Sequence, residues 1–311
     1  MDIVSLGEPM IEFNAASPGR LKDVNLFQRG WGGDTSNMAV AAARLGKRVG
    51  YISKIGDDAF GQCFMDLWRR EGVDTSKVIV EKGGFTGIYF IAYADGHEFT
   101  YYRKGSSASH ISADEVDHEY IKSSRVFHSS GITQAISDSS REAVFHAIEI
   151  AKKNGVLVSY DPNVRLKLWP LETARDTIVR AIGLADIVFP SMEDASVLFS
   201  SESAKDAVRR FLELGPSTVV VKLGAKGCLV ATKKEIFETS SFEVNVVDAT
   251  GAGDAFDAAF LSGILEGWDL RGCAKFANAV GALTTTGKGA VSPIPRRSVV
   301  DDFLRSRTSV R

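Results

Sequence analysis

Val247-Asp248-Ala249-Thr250-Gly251-Ala252-Gly253-Asp254, with the apolar run 255–265 behind it, is the stretch on which the fold of this 311-residue chain turns. Residues 244–247 read as a strand, Gly251-Ala252-Gly253 as a tight turn and 255–265 as a helix. The same unit recurs along the chain. Strands are expected at 3–7, 49–55, 126–129, 156–161, 187–190 and 218–222, and helices at 36–45, 60–71, 139–154 and 173–184. Apolar strands alternating with helix-period segments predict an α/β fold, a mostly parallel central sheet with helices on both faces.

One region departs from that rhythm. Residues 87–93 and 98–103 are alternating runs rich in aromatic and β-branched residues around Asp95-Gly96, the signature of a hairpin. With strands near 20–30 and 78–81, it is expected to form a small second sheet. The single domain 1–311 then carries a lid built from segments near 10–30 and 78–104. Tyr89, Phe90, Tyr93 and Phe99 give that lid an apolar face, through which copies of the chain are expected to pair. The tail from Arg305 is polar and expected to fray.

Composition narrows the function classes. Apolar residues at 44% and charged residues at 24% suit a globular enzyme. A net charge of −2 gives no field to draw the chain onto nucleic acid or an anionic membrane, so any anion is held locally. The opening residues lack a basic and cleavable apolar leader, and no segment reaches the ~18 apolar residues of a membrane span. A cytoplasmic address is expected. Cys63, Cys228 and Cys273 are far apart and read as small buried hydrophobes, and the five histidines show no metal-binding pair at helical spacing.

The chemistry sits in the opening stretch. Three small residues at a helix start leave backbone N–H groups bare, where unpaired donors and the helix dipole favour an anion such as a phosphate. Asp254, in the first turn, is then placed to take a proton from an attacking hydroxyl. The local pattern also fits a structural role, with Gly-Ala-Gly packing a helix closely and Asp254 capping it. Two other nucleotide motifs are excluded: no P-loop with its Lys-Ser/Thr ending occurs, and Phe256 stands where a dinucleotide fingerprint needs its third glycine.

Asp248-Ala249-Thr250-Gly251-Ala252-Gly253-Asp254 resembles the C-terminal signature of the ribokinase-like (PfkB) carbohydrate kinases. Gly32-Gly33-Asp34-Thr35-Ser36-Asn37-Met38-Ala39 with Leu45-Gly46 resembles their N-terminal signature, in matching order over nearly the whole chain. The resemblance implies a three-layer ribokinase-like sandwich and phosphoryl transfer from ATP. It makes Asp254 the base and Gly251, Ala252 and Gly253 the anion hole, while Gly33 and Asn37 hold the sugar. Asn163, in Asp161-Pro162-Asn163, is implied near the phosphates; Lys222, Gly224 and Gly227 form the nucleotide turn, and Asn278 lies by the adenine. Asp248, Thr250 and backbone around Ala290 match positions that hold a monovalent cation, K+, in some members. The family's magnesium-linked Asn-x-x-Glu appears here as Ser191-Met192-Glu193-Asp194, which makes Glu193 the substitute ligand for Mg2+.

Arg103 and Arg165 carry the choice of sugar. An arginine offers a planar fork for a carboxylate, although a single arginine is more often a solvated charge or a structural ion pair. Tyr101-Tyr102-Arg103-Lys104-Gly105-Ser106 and Asp161-Pro162-Asn163-Val164-Arg165 with Trp169 resemble the 2-keto-3-deoxygluconate kinase branch. That match implies a pocket of Gly33, Tyr89, Tyr101, Arg103, Ile132 and Arg165, and phosphorylation of the sugar acid's terminal hydroxyl. Fructokinase shares both signatures and is the rival among enzymes; a non-catalytic sugar-binding regulator is the rival from another class.

Overall fold

The computed structural model describes residues 1–94 and 96–308. Thirteen strands occur there: β1 (Ile3–Leu6), β2 (Met10–Ala15), β3 (Phe27–Gly32), β4 (Val49–Gly56), β5 (Asp74–Glu81), β6 (Ile88–Tyr93), β7 (His97–Tyr102), β8 (Val126–Ser130), β9 (Leu157–Asp161), β10 (Ile187–Val188), β11 (Thr218–Lys222), β12 (Cys228–Thr232) and β13 (Ile236–Thr239). The helices are α1 (Asp34–Arg44), α2 (Ala59–Glu71), α3 (His118–Lys122), α4 (Gly131–Ala135), α5 (Asp138–Lys153), α6 (Leu171–Leu184), α7 (Met192–Phe199), α8 (Ala204–Glu213), α9 (Ala252–Leu265), α10 (Leu270–Thr284) and α11 (Arg297–Thr308).

Nine strands form the large sheet in the order β13-β12-β11-β10-β9-β8-β1-β4-β5. All neighbours are parallel up to β11, and β12 and β13 return antiparallel. Both faces are buried, which is why the strands read as unbroken apolar runs. Val220 packs on the side of α1, α2, α9 and α10, whereas Val219 and Val221 pack on the side of α5, α6 and α8. Successive connections leave β1 in opposite directions, so the order reverses between β1 and β8. That reversal opens a crevice at the strands' C-terminal ends, where open α/β sheets bind ligands.

The small sheet has the order β3-β2-β6-β7. The expected hairpin is present as β6 paired antiparallel with β7; Asp95, in its turn, lies outside the described residues. Tyr89, Phe99 and Tyr101 stack on one face, with Tyr89 and Tyr101 centroids 5.6 Å apart. On the other face Phe13 stacks on Phe90 at 5.1 Å and meets Phe60 of α2 edge-on, which docks this sheet on the body.

Four expectations are corrected. Residues 78–81 belong to β5, which pairs with the buried β4 at the edge of the large sheet, and the small sheet takes β2 instead. The strand expected near 20–30 begins only at Phe27, after a short 3-10 turn at Leu21–Asp23. Residues 244–247 form no strand: Val246 and Val247 are 65% and 59% exposed, and the amides of Val247 and Asp248 bond to the Thr285 carbonyl behind α10 instead of to a neighbouring strand. The tail is helical through Thr308, in a helix anchored by the buried Val300 and by Phe303 packed edge-on against Phe242, and residues 309–311 lie outside the described residues.

Candidate active site

Gly251 opens the site. Its φ of +77° is left-handed, and a Cβ there would lie 2.4 Å from the Ala290 carbonyl, so only glycine fits. Helix α9 starts behind it. The Ala252 amide bonds to Ala249, but the amides of Gly251, Gly253 and Asp254 have no acceptor among the described residues. Three free N–H groups at the positive end of a 14-residue helix make a ready anion site.

Asp254 stands beside those amides because α9 packs against α1. The Asn37 side chain of α1 donates from Nδ2 to Asp254 Oδ2 at 2.8 Å. Its Oδ1 is buried without a donor, an acceptor held open in the cleft. Burial, and next the carboxylate of Asp34, push the Asp254 carboxyl up to about 7; the Asn37 amide and Lys222 oppose them. A carboxyl so placed changes charge in the range where a general base works. Asp34 in turn accepts from Asn163 Nδ2 at 3.1 Å, and Asn163 holds a positive φ of 35° at the end of β9.

The opposite end of the cleft is built from side chains. Gly33 has φ +96°, and a Cβ on it would fall 2.1 Å from the Glu8 carbonyl. Tyr89 is buried and donates to Glu12 Oε2 at 2.7 Å, while Tyr101 is 39% exposed and Ile132 half-buried in α4. Arg103, only 9% exposed, is ion-paired through Nη2 to the fully buried Glu8, to which Ser106 also donates at 3.1 Å. Its Nε is buried without an acceptor. Arg165 is exposed and donates to the Val164 carbonyl at 2.9 Å. Burial raises the Tyr101 hydroxyl's pKa while the guanidiniums of Arg103 and Arg165 lower it, and Arg103, just past the end of β7, sits 5.7 Å from the Tyr101 ring centroid.

On the nucleotide side, Gly224 (φ +59°) and Gly227 (φ +99°) shape the turn between β11 and β12. A cavity of about 340 Å³ adjoins it, lined by Met192, Leu223, Lys226 and Ser240 among others. The Asn278 amide is engaged with the Thr239 carbonyl at 3.1 Å. Lys222 does not point freely at the cleft: its ammonium binds Asp161 at 2.8 Å and Asp257 at 3.3 Å. Glu193 is exposed in the first turn of α7, whereas Asp194 is buried and spends its oxygens on Ser191 and the Val164 amide. No cluster of three or more His, Cys, Asp or Glu suited to a metal occurs among the described residues. Asp248 is buried and accepts from Thr250 N and Oγ1 and from the Gly289 amide, beside Ala290.

Sequence reasoning passed over Glu8, Glu12, Asp34, Asp161 and Asp257. Asp257 carried a signal, since it is a carboxylate three residues from Asp254 in an otherwise apolar helix. Glu8 carried none, because its partner Arg103 is 95 residues away.

The chain is similar to known sugar kinases over nearly its whole length. The chain is 36% identical over 312 residues to a 2-dehydro-3-deoxygluconokinase of Thermoproteus tenax, covering 98% of this chain and 95% of that protein. It is 38% identical over 310 residues to fructokinase-1 of Zea mays, covering 96% of each. A sugar kinase from Pyrococcus horikoshii, solved in complex with ATP, superposes with a TM-score of 0.86 at 32% identity over 98% of this chain and 99% of that one. No helix among the described residues is long and apolar enough to cross a membrane. The pfkB family of carbohydrate kinases matches residues 1–297, and the chain belongs to that family.

Proposed function

We propose that the protein transfers the γ-phosphoryl group of ATP to the terminal hydroxyl of 2-keto-3-deoxygluconate, giving the 6-phosphate. The observation that carries this reading is Asp254, a carboxyl raised to about 7 and set beside three unpaired amides. Asp254 takes the proton of the sugar hydroxyl as its oxygen bonds to the γ-phosphorus. The bond from phosphorus to the β,γ-bridging oxygen breaks, and ADP leaves with that electron pair. The amides of Gly251, Gly253 and Asp254 receive the charge on the transferring group. Asn37 Oδ1 takes a sugar hydroxyl, Asn163, Gly224 and Gly227 border ATP, and the small sheet acts as the lid. Magnesium on the triphosphate would neutralise its charge, with Glu193 the candidate carboxylate to hold it, and Asp248, Thr250 and the Ala290 carbonyl would hold K+.

The acid is favoured over a neutral sugar by Arg103 and Arg165. Arg103 keeps a buried donor, Nε, without a partner, and Arg165 has no carboxylate paired with it among the described residues. A fructose reading is favoured by one observation, the Glu8–Arg103 pair, which already balances one of the two charges. An ADP-release assay over a sugar panel separates them: turnover of the keto acid well above that of fructose and ribose is expected, and the reverse order overturns the substrate assignment.

A further inference from the structure

Beneath the anion hole lies a group of charges that phosphoryl transfer does not use directly. Lys222 at the end of β11 holds Asp161 of β9 at 2.8 Å, and Asp257 of α9 at 3.3 and 3.4 Å. The carboxylates are 6% and 1% exposed and the lysine 16%. A Cβ added to Gly253 would lie 3.6 Å from the ammonium, so the group sits under the middle of the hole. It also ties the ends of two strands to the first turns of α9.

Counting charge exposes a difficulty. One ammonium against two carboxylates leaves a buried surplus of one negative charge, with Asp254 on the same helix face and Asp34 across the cleft adding more. A surplus there is costly to bury and repels the phosphate that the hole must accept. Among the described residues, Lys222 is the cation paired with these carboxylates. His128 of β8, burial first and Lys222 second, is driven down to about 3 and stays neutral, bonded to Ser159 at 2.9 Å. Asp194 of α7 also faces Lys222, with its oxygens on Ser191 and Val164. Tyr89 of β6 faces Asp254 and is neutral.

We propose that Asp257 is held as a neutral acid donating its proton to Asp161, so that Lys222, Asp161 and Asp257 together carry no net charge. Asp257 is a positioning residue: it touches neither sugar nor phosphate and acts by keeping the floor of the hole uncharged. Burial is the largest cause driving the Asp257 carboxyl upward; the Lys222 ammonium opposes it, and the Asp161 and Asp254 carboxylates raise it further. Lys222 stays charged, because the Asp161 carboxylate bonded to it, with that of Asp194 adding to the pull, opposes the effect of its burial. The proton then rests one turn from Asp254, which is left as the carboxyl that titrates during turnover.

The inference rests on reading Gly251 to Asp254 as hole and base, but its first test does not. Infrared difference spectra of the full-length protein without nucleotide, at pH 8, should show a protonated-carboxyl C=O band in wild type that Asp257→Asn removes and Asp254→Asn retains. Absence of the band, or its survival in Asp257→Asn, overturns the proposal. In kinetics the amide of Asp257→Asn mimics the neutral acid, so the acidic limb of kcat against pH should stay in place; a downward move of about one unit shows that a charge was removed, and overturns it. Lys222→Met is the complement, expected to move that limb up by about one unit, and an unmoved limb counts against a neutral floor. If the band behaves as expected while no sugar is phosphorylated, the kinase reading fails and this inference stands.

Discussion

The two ends of the cleft are built from different materials. At one end the working groups are backbone amides of Gly251, Gly253 and Asp254, fixed by a left-handed glycine and a helix packed on both sides. At the other they are long side chains, Tyr101, Arg103 and Arg165, on a small sheet and a loop, two of them exposed. A backbone site needs one local stretch to be right; a side-chain site needs distant residues to converge. On the proposed reading the first end serves any acceptor hydroxyl, and the second selects the acceptor.

The sharpest way to break that comparison is Asp254→Asn. Loss of the base is expected to lower kcat about 10³–10⁴-fold and leave the sugar's KM within about threefold. A change in KM alone would put Asp254 among the selecting residues. Next in size is Gly251→Ala, where the methyl meets the Ala290 carbonyl at 2.4 Å and φ is +77°. We expect about 2–4 kcal/mol of lost stability in urea unfolding, together with loss of turnover, from strain and displacement of α9.

At the selecting end, Arg103→Ala strips a buried ion pair of its cation and leaves Glu8 sealed in. Burial already pushes the Glu8 carboxyl up against the pull of Arg103 and Ser106, so it protonates, and the cost is expected at about 3 kcal/mol rather than more. Arg165→Ala should cost under about 0.5 kcal/mol of stability and raise the sugar acid's KM about tenfold, with fructose's KM unmoved. Equal effects of the two arginines on stability would mean that Arg103 is not locked as its contacts imply.

How much of this was legible follows from the same contrast. Strands β1, β4, β8, β9 and β11 stand close to where the apolar runs put them, since burial on both faces leaves a continuous signal. The stretch 244–247 reads as such a strand but lies exposed, because periodicity reports apolar residues and not whether a neighbouring strand edge is free. Residues 78–81 were legible as a strand but not by sheet, a choice made by pairing with β4. The residues of the proposed hole and base are contiguous in sequence, so one local pattern can point to them. Glu8 with Arg103, Asp34 with Asn163, and Lys222 with Asp161 and Asp257 join residues 35 to 129 positions apart, which no local pattern records.

The smallest expected effect tests what the hole costs the fold. Asp254 is raised in the folded protein from an ordinary 3.8 to about 7, chiefly by burial. Between those values the folded state holds a proton that the unfolded chain has released, so stability falls as pH rises through the window of about 4 to 7. Asp254→Asn removes the titration. The variant should therefore match wild type near pH 4 and be more stable above pH 7, by about 1 kcal/mol once solvent screening at the open cleft is allowed for. Thermal unfolding of both proteins across pH 4 to 8 measures it. A difference that is constant with pH would mean that the carboxylate is as comfortable folded as unfolded, and that the anion hole is not bordered by a strained base.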